Sequence, residues 1–350
     1  MNVLPRTRQI SVLAALVDGN SERAVERMTG VNRLTIGRLA LRFGDGAGRV
    51  HDRLVRDLSC SLVQVDEIWS FIQKKQSRVT EADPEGVGEA YTFVGLDTAS
   101  RLAISFHVGK RDQENTNMFV NDLRRRLVVM PAMTSDGFQP YISAIGGNFG
   151  TSIDYGQTIK NYTYKGRRNG GHDHRYEPPR DPFITKKVVY GAPDLDRAST
   201  SYVERQNGTM RHHIGRMRRL CLAFSKKIEN HRAAVAVAYT HYNFCHVVKT
   251  LRVTPAMQAG ITDHIWGIEE FFDAIMNAPA CEAPALQPLA HQTPQTTARE
   301  LPEGRGFLRV VKEKGTPNAP LPPTTPVAPR RVQAKAPVQL GLFDDPEEPS

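Results

Sequence analysis

The chain has 350 residues, 40 % of them apolar, and a formal net charge of +9. That length allows one to three domains with a sizeable core, and the basic balance points to a polyanionic partner, nucleic acid or an anionic membrane surface. No stretch approaches the roughly 20 apolar residues of a membrane span, and Cys60, Cys221, Cys245 and Cys281 form no C-x-x-C pair, so no zinc ribbon is readable. Buried thiols in a reducing cytoplasm are the expectation. The apolar run 10–17 follows two arginines but lacks a small-residue cleavage pattern, so it is not read as a secretory signal.

Residues 1–58 read as helices only. Helical apolar spacing covers 6–17 and Gly19 ends it; Ser21 can cap a short helix over 22–28. Thr29-Gly30-Val31 forms a turn, and Asn32 can cap a third helix over 33–43. Helix, short helix, Gly-containing turn and helix is the helix-turn-helix pattern, with an ordinary three-helix packing unit as the alternative. In a helix-turn-helix the start of the last helix enters the major groove. That assigns DNA contact to Asn32, Arg33, Thr35 and Arg38.

From about residue 60 the period changes. Strands are expected over 62–72, 91–97, 102–108, 128–135 and 184–190, with helices over 113–127, 139–145, 201–217 and 225–248. Three antiparallel-type strands followed by alternating helices and strands is the ribonuclease-H-like order. The expected class is α/β: an N-terminal helix-turn-helix at 1–58, a ribonuclease-H-like mixed-sheet catalytic domain at 59–276, and a Pro-rich disordered tail at 277–350. Residues 146–183 are an insertion rich in Gly, Tyr, Arg and His, and His172-x-His174 within it has weak metal-ligand potential. Positions 279–350 hold 14 of the 23 prolines and few large apolar residues, which is too little to offset chain entropy.

Asp66 on the first strand and Asp136 at the end of the fourth become neighbours in this order, and Glu204 on a later helix can reach them. Separations of 70 and 68 residues hide that proximity in the sequence. Three acids of this kind suit two Mg²⁺ ions, with Mn²⁺ as a substitute, for phosphodiester transfer. Asp66 would bridge both ions, Asp136 hold one and Glu204 the other. Glu67 is the rival of Asp66, since strand alternation points the two to opposite faces. Asp97 has a hairpin-capping or supporting reading. Arg205, Arg211, Arg216, Arg218, Arg219, Lys226, Lys227 and Arg232 form a basic run with only Glu204 and Glu229 against it, suited to phosphate contact.

Val65-Asp66-Glu67-Ile68-Trp69, Ser135-Asp136-Gly137-Phe138-Gln139-Pro140-Tyr141 and Glu204-Arg205-Gln206-Asn207 with Arg211 resemble the insertion-sequence-1 family of DDE transposases. Phe224-Ser225-Lys226, His241-Tyr242-Asn243-Phe244 and the turn region 28–36 are similar as well, so the likeness spans about residues 8–275. The resemblance implies binding to terminal inverted repeats and Mg²⁺-dependent DNA cleavage and strand transfer. It implies Asp66, Asp136 and Glu204 as catalytic metal ligands, with Arg211 and Lys226 at the DNA. Arg205 and Asn207 beside them are also expected at the DNA, and assembly on two element ends suggests a homo-oligomer. The chain departs from the family in lacking a Cys-rich zinc finger and in its long Asp136–Glu204 spacing. Gln339-Leu340-Gly341-Leu342-Phe343 resembles the peptide by which bacterial replication proteins bind the sliding clamp. The alternatives to a transposase are a ribonuclease-H-like nuclease without joining activity and a DNA-binding regulator or inactive relic. A bacterial cytoplasmic location goes with all three.

Overall fold

The computed structural model describes residues 3–161, 183–218, 222–280 and 286–291. The tail peptide 339–343, His172, His174 and Arg219 lie outside the described residues. The chain opens with α1 (Arg6–Val17), α2 (Glu22–Thr29) and α3 (Arg33–Leu54). The Ser21 hydroxyl accepts from Ala24 N–H, Gly30 closes α2 in the left-handed region at φ 66°, and the Asn32 side chain accepts from Leu34 N–H. These are the caps the sequence offers for orphan helix-end groups.

Helix α3 runs eleven residues past the expected end at Phe43, through Gly44, Gly46 and Gly48. Glycine weakens an isolated helix, but here tertiary packing requires it. A Cβ on Gly44 would lie 2.4 Å from the Cα of Ala233, and one on Gly46 would lie 1.9 Å from the carbonyl oxygen of Ile275.

The sheet comprises β1 (Leu62–Ile72), β2 (Gly88–Asp97), β3 (Ala103–Gly109), β4 (Ala132–Ser135), β5 (Tyr155–Asn161) and β6 (Phe183–Tyr190), in the order β3-β2-β1-β4-β5-β6. The pairs β1–β2, β2–β3 and β5–β6 are antiparallel, whereas β1–β4 and β4–β5 are parallel. This six-stranded mixed sheet is consistent with a ribonuclease-H-like fold. The expected fifth strand near 184–190 is the sixth. The fifth, β5, lies inside the segment read as an insertion. Its polar sequence hides it: Gln157 and Thr158 are buried at positions where a strand pattern would show apolar side chains.

Helices α4 (Gln113–Arg125) and α5 (Pro140–Phe149) cover one sheet face. Phe119, Val120 and Leu123 with Tyr141 and Ile145 pack there on Val63, Val65 and Phe93. The other face carries α6 (Ser201–His213) and α7 (Ile228–Phe244), where Val203, Met210, Val235 and Tyr239 meet Ile68, Val94 and Leu96. Each fully buried large apolar side chain stabilises by about 1.5–3 kcal/mol. Both helices are shorter than expected. α6 ends at His213 and a 3-10 turn covers Gly215–Met217, while α7 starts only after Lys227. The chain continues through α8 (Pro255–Gln258) and α9 (Ile268–Met276). A third cluster joins Leu13, Phe43, Ala47 and Val50 to Ala236 of α7 and to Phe271, Phe272 and Ile275 of α9. The apolar core therefore continues across residue 58. Among the described residues no helix is long and apolar enough to cross a membrane.

Candidate active site

Strand β1 outruns β4. Their parallel pairing stops at Gln64 opposite Thr134, so Asp136, two residues on, stands level with Asp66. Beyond that point the β4 side of β1 is open. Side-chain alternation still holds: Val63 and Val65 face α4 and α5, while Gln64 and Ile68 face α6 and α7. At the open edge, however, Asp66 and Glu67 both reach the cleft. Oxygens of Asp66, Glu67 and Asp136 lie within 4.8 Å of one another.

Helix α6 is pinned alongside by Gln64, whose side-chain oxygen accepts from Tyr202 and Val203 N–H, both at 3.0 Å. That contact turns Glu204 and Asn207, three residues apart on one helix face, toward β1. Asn207 Nδ2 donates to Asp66 Oδ2 at 2.8 Å. Asn207, expected at the DNA, is 2 % exposed, so its amide fixes a carboxylate orientation. Glu204 lines the same cleft without joining the three-acid cluster. Its carboxylate accepts from Lys160 Nζ and from Thr200 Oγ1.

Asp136 is held by Phe138 N–H, which donates to its Oδ1 at 2.9 Å. Glu67 accepts from the Tyr141 hydroxyl and pairs with Arg111, whose guanidinium also stands 3.8 Å from Asp136 Oδ2. The cleft measures about 890 Å³ and is also lined by Thr158 and Arg211.

Crowded acids pay for their proximity in proton affinity. Burial, then the charges of Glu67, Asp136 and Glu204, lift the Asp66 carboxyl from 3.8 to about 7. Burial and Asp136 raise Glu67 too, against the opposing pull of Arg111 and Tyr141. A site that disfavours its own ionised carboxylates is short of positive charge. The donor set is all oxygen, carboxylate and hard, and so fits a divalent cation of the Mg²⁺ or Mn²⁺ kind.

The remaining expected residues are spread around this cleft. Asn32, Arg33 and Arg38 are exposed on α3 and Thr35 is half-buried; Arg33 N–H donates to Glu26 Oε1. Arg205 and Lys226 are exposed, and the Lys226 ammonium sits 4.1 Å from the centroid of Phe224, whose ring stacks on Phe71. Arg216 pairs with Glu22 and donates to the carbonyl of Asn230, which ties it into the structure. Asp97 is buried and accepts from the backbone and hydroxyl of Ser100, the hairpin role. Sequence reasoning missed Arg111, Lys160 and Thr200. Arg111 precedes the α4 cap Asp112 and Lys160 lies on the unrecognised β5, so neither carried a local signal.

No family model matches the chain, and no curated protein matches its sequence. Among solved structures, the chain is similar to a piggyBac transposase in a synaptic complex with hairpin DNA. The TM-score is 0.38 at 10 % identity, over 77 % of this chain and 69 % of that one. A likeness that distant carries no weight for activity, which rests on the cleft.

Proposed function

We propose that the chain is a DDE-type DNA transposase that cleaves and joins DNA strands in the acid cleft. One observation carries the reading: Asp66, Glu67 and Asp136 converge within 4.8 Å at the open edge of a mixed sheet, with Glu204 on the adjoining helix lining the same cleft. Asp66, Asp136 and Glu204 are the acids we assign to catalysis and metal holding, and Glu67 joins them as a fourth oxygen donor. Two bound Mg²⁺ ions would supply the Lewis-acid charge for an attacking and a leaving oxygen.

The chain's own residues do the rest. Asn207 keeps one Asp66 oxygen oriented. Arg111 restrains Glu67 and sits near Asp136, so it can offset charge at the cleft rim. Arg205, Arg211 and Lys226 are assigned to the DNA backbone, and the α3 face bearing Asn32, Arg33, Thr35 and Arg38 to the terminal repeats as a helix-turn-helix reader. In the reaction, a water oxygen attacks phosphorus at the element end and frees a 3′-hydroxyl. That hydroxyl then attacks a target phosphodiester, forming one bond for each bond broken. Assembly on two ends makes a homo-oligomer the working form. The peptide 339–343 is assigned to sliding-clamp binding, and loss of clamp pull-down on replacing Leu342 and Phe343 by Ala is the expected check.

The test is movement of a marked mini-element built from DNA flanking the gene. Wild-type protein should support it, and Asp66→Asn, Asp136→Asn and Glu204→Gln should each abolish it. Activity retained in Glu204→Gln but lost in Glu67→Gln would transfer the third role to Glu67.

A further inference from the structure

Glu204 has a partner that phosphodiester chemistry does not require. Lys160 Nζ donates to both of its carboxylate oxygens, at 2.6 Å each, and Thr200 Oγ1 donates to Oε1 at 2.5 Å. Lys160 stands on β5, two residues beyond Thr158, and both line the acid cleft. The four acids thereby fall into two sets. Asp66, Glu67 and Asp136 are clustered with Arg111 at one side. Glu204 stands apart, neutralised by an ammonium of its own.

We propose that Lys160 is a built-in counter-ion that keeps Glu204 from a second divalent cation until DNA is present. The inference rests on the metal-and-DNA reading of the cleft. The pair is suited to exchange rather than to permanent structure: its side chains are 35 % and 39 % exposed, where ion pairs are weak and water competes. Lysine adds a compact charge on a long flexible stem, able to move from a carboxylate to a phosphate oxygen without changing strand β5. A divalent cation at Glu204 carries twice the charge of the ammonium it replaces. With a DNA phosphate present, the released ammonium gains a new anion, so the exchange leaves neither charge unpaired. Among the described residues Lys160 is paired with Glu204 alone, so without DNA the exchange is opposed. DNA-free protein should then hold one divalent cation well, at Asp66, Glu67 and Asp136, and a second poorly.

The experiment is Mn²⁺ titration of the full DNA-free chain, reading free Mn²⁺ by electron paramagnetic resonance. Wild type should show one tight and one weak site, and Asp66→Asn should lose the tight one. Lys160→Met should tighten the weak site about tenfold or more, Lys160→Arg should leave it weak, and the double variant Lys160→Met with Glu204→Gln should lose the gain. Circular dichroism and melting temperature confirm that each variant is folded. A weak site unchanged in folded Lys160→Met, or tightened equally without Glu204, overturns the counter-ion role while the metal reading stands. Absence of Mn²⁺ binding in wild type, or tight binding indifferent to Asp66→Asn, overturns the metal reading and the counter-ion role with it.

Discussion

Replacing Asp66 with Asn should stabilise the metal-free protein while destroying its activity. The carboxyl is lifted from 3.8 to about 7, so ionising it in the folded state costs more than in the unfolded chain. The sign follows from linkage. Well below 3.8, the ordinary value, Asp66 is protonated in both states and imposes no penalty. As pH rises from 4 to 7 the unfolded chain ionises first, and stability falls; above 7 the full penalty is present. About three units at ~1.4 kcal/mol each set a ceiling of about 4 kcal/mol. Glu67 and Asp136 share the repulsion and the cleft mouth is open to water, so about 1–3 kcal/mol is the expected gain. Asn keeps the shape and still accepts from Asn207 Nδ2. For a chain of this size the gain corresponds to roughly 2–8 °C in melting temperature. The assay is thermal unfolding with chelator at pH 5 and pH 8, repeated with Mg²⁺. The variant should exceed wild type at pH 8, the gap should shrink at pH 5, and Mg²⁺ should raise wild type far more than the variant. A variant less stable than wild type at pH 8 without metal, or a gap independent of pH, would refute the reasoning.

Three further outcomes follow from the geometry. Asn207→Ala removes the amide that donates to Asp66 Oδ2; it should cost about 1–3 kcal/mol and at least tenfold in strand cleavage, read by denaturant melts and a nicking assay. Gln64→Leu leaves the N–H groups of Tyr202 and Val203 without their acceptor. It should cost about 1–3 kcal/mol per buried group and loosen α6, seen as faster amide exchange over 201–207. If the α3 face reads DNA, removing Arg33 and Arg38 together should weaken binding to the terminal repeats and reduce the salt slope by about two, measured by fluorescence anisotropy at several salt concentrations.

The sequence made Asp66 and Asp136 legible because each sits at a strand signal, and strand order then makes them neighbours. Their level placement depends on the register of Gln64 against Thr134, which no local pattern reveals. Alternation argued against Glu67 sharing a site with Asp66, and it does so inside a sheet. It fails here because β1 projects beyond β4, where both faces open on one cleft. β5 was invisible because Gln157 and Thr158 are buried polar residues between parallel and antiparallel partners. Glu204 was legible as an acid at the head of a basic helix, but its partner Lys160 lay on that unseen strand.

The continuity of the core past residue 58 has a consequence for how the molecule can be divided. Helix α7 is buried from two sides: Val235 and Tyr239 pack on the sheet, whereas Ala236 and Val237 pack with α1, α3 and α9. Gly44 and Gly46 bring α3 so close to α7 and α9 that no side chain fits between the backbones. An N-terminal reader on a free tether would need neither contact. Expressing residues 59–291 alone should therefore uncover Phe271, Phe272 and Ile275, each about 0–4 % exposed in the whole chain. At about 1.5–3 kcal/mol per large apolar side chain, the loss is comparable with the 5–15 kcal/mol that holds a typical domain folded. The fragment should aggregate or bind a hydrophobic dye, and Gly46→Val in the full chain should reproduce the instability through the Ile275 carbonyl. A soluble, cooperatively melting fragment 59–291 would show that α9 finds other cover and that the N-terminal helices are separable. If it fails as expected, α3 and the sheet bearing the acid cleft share support in α7, and under the proposed function DNA read by α3 would be held at a fixed distance from the cleft.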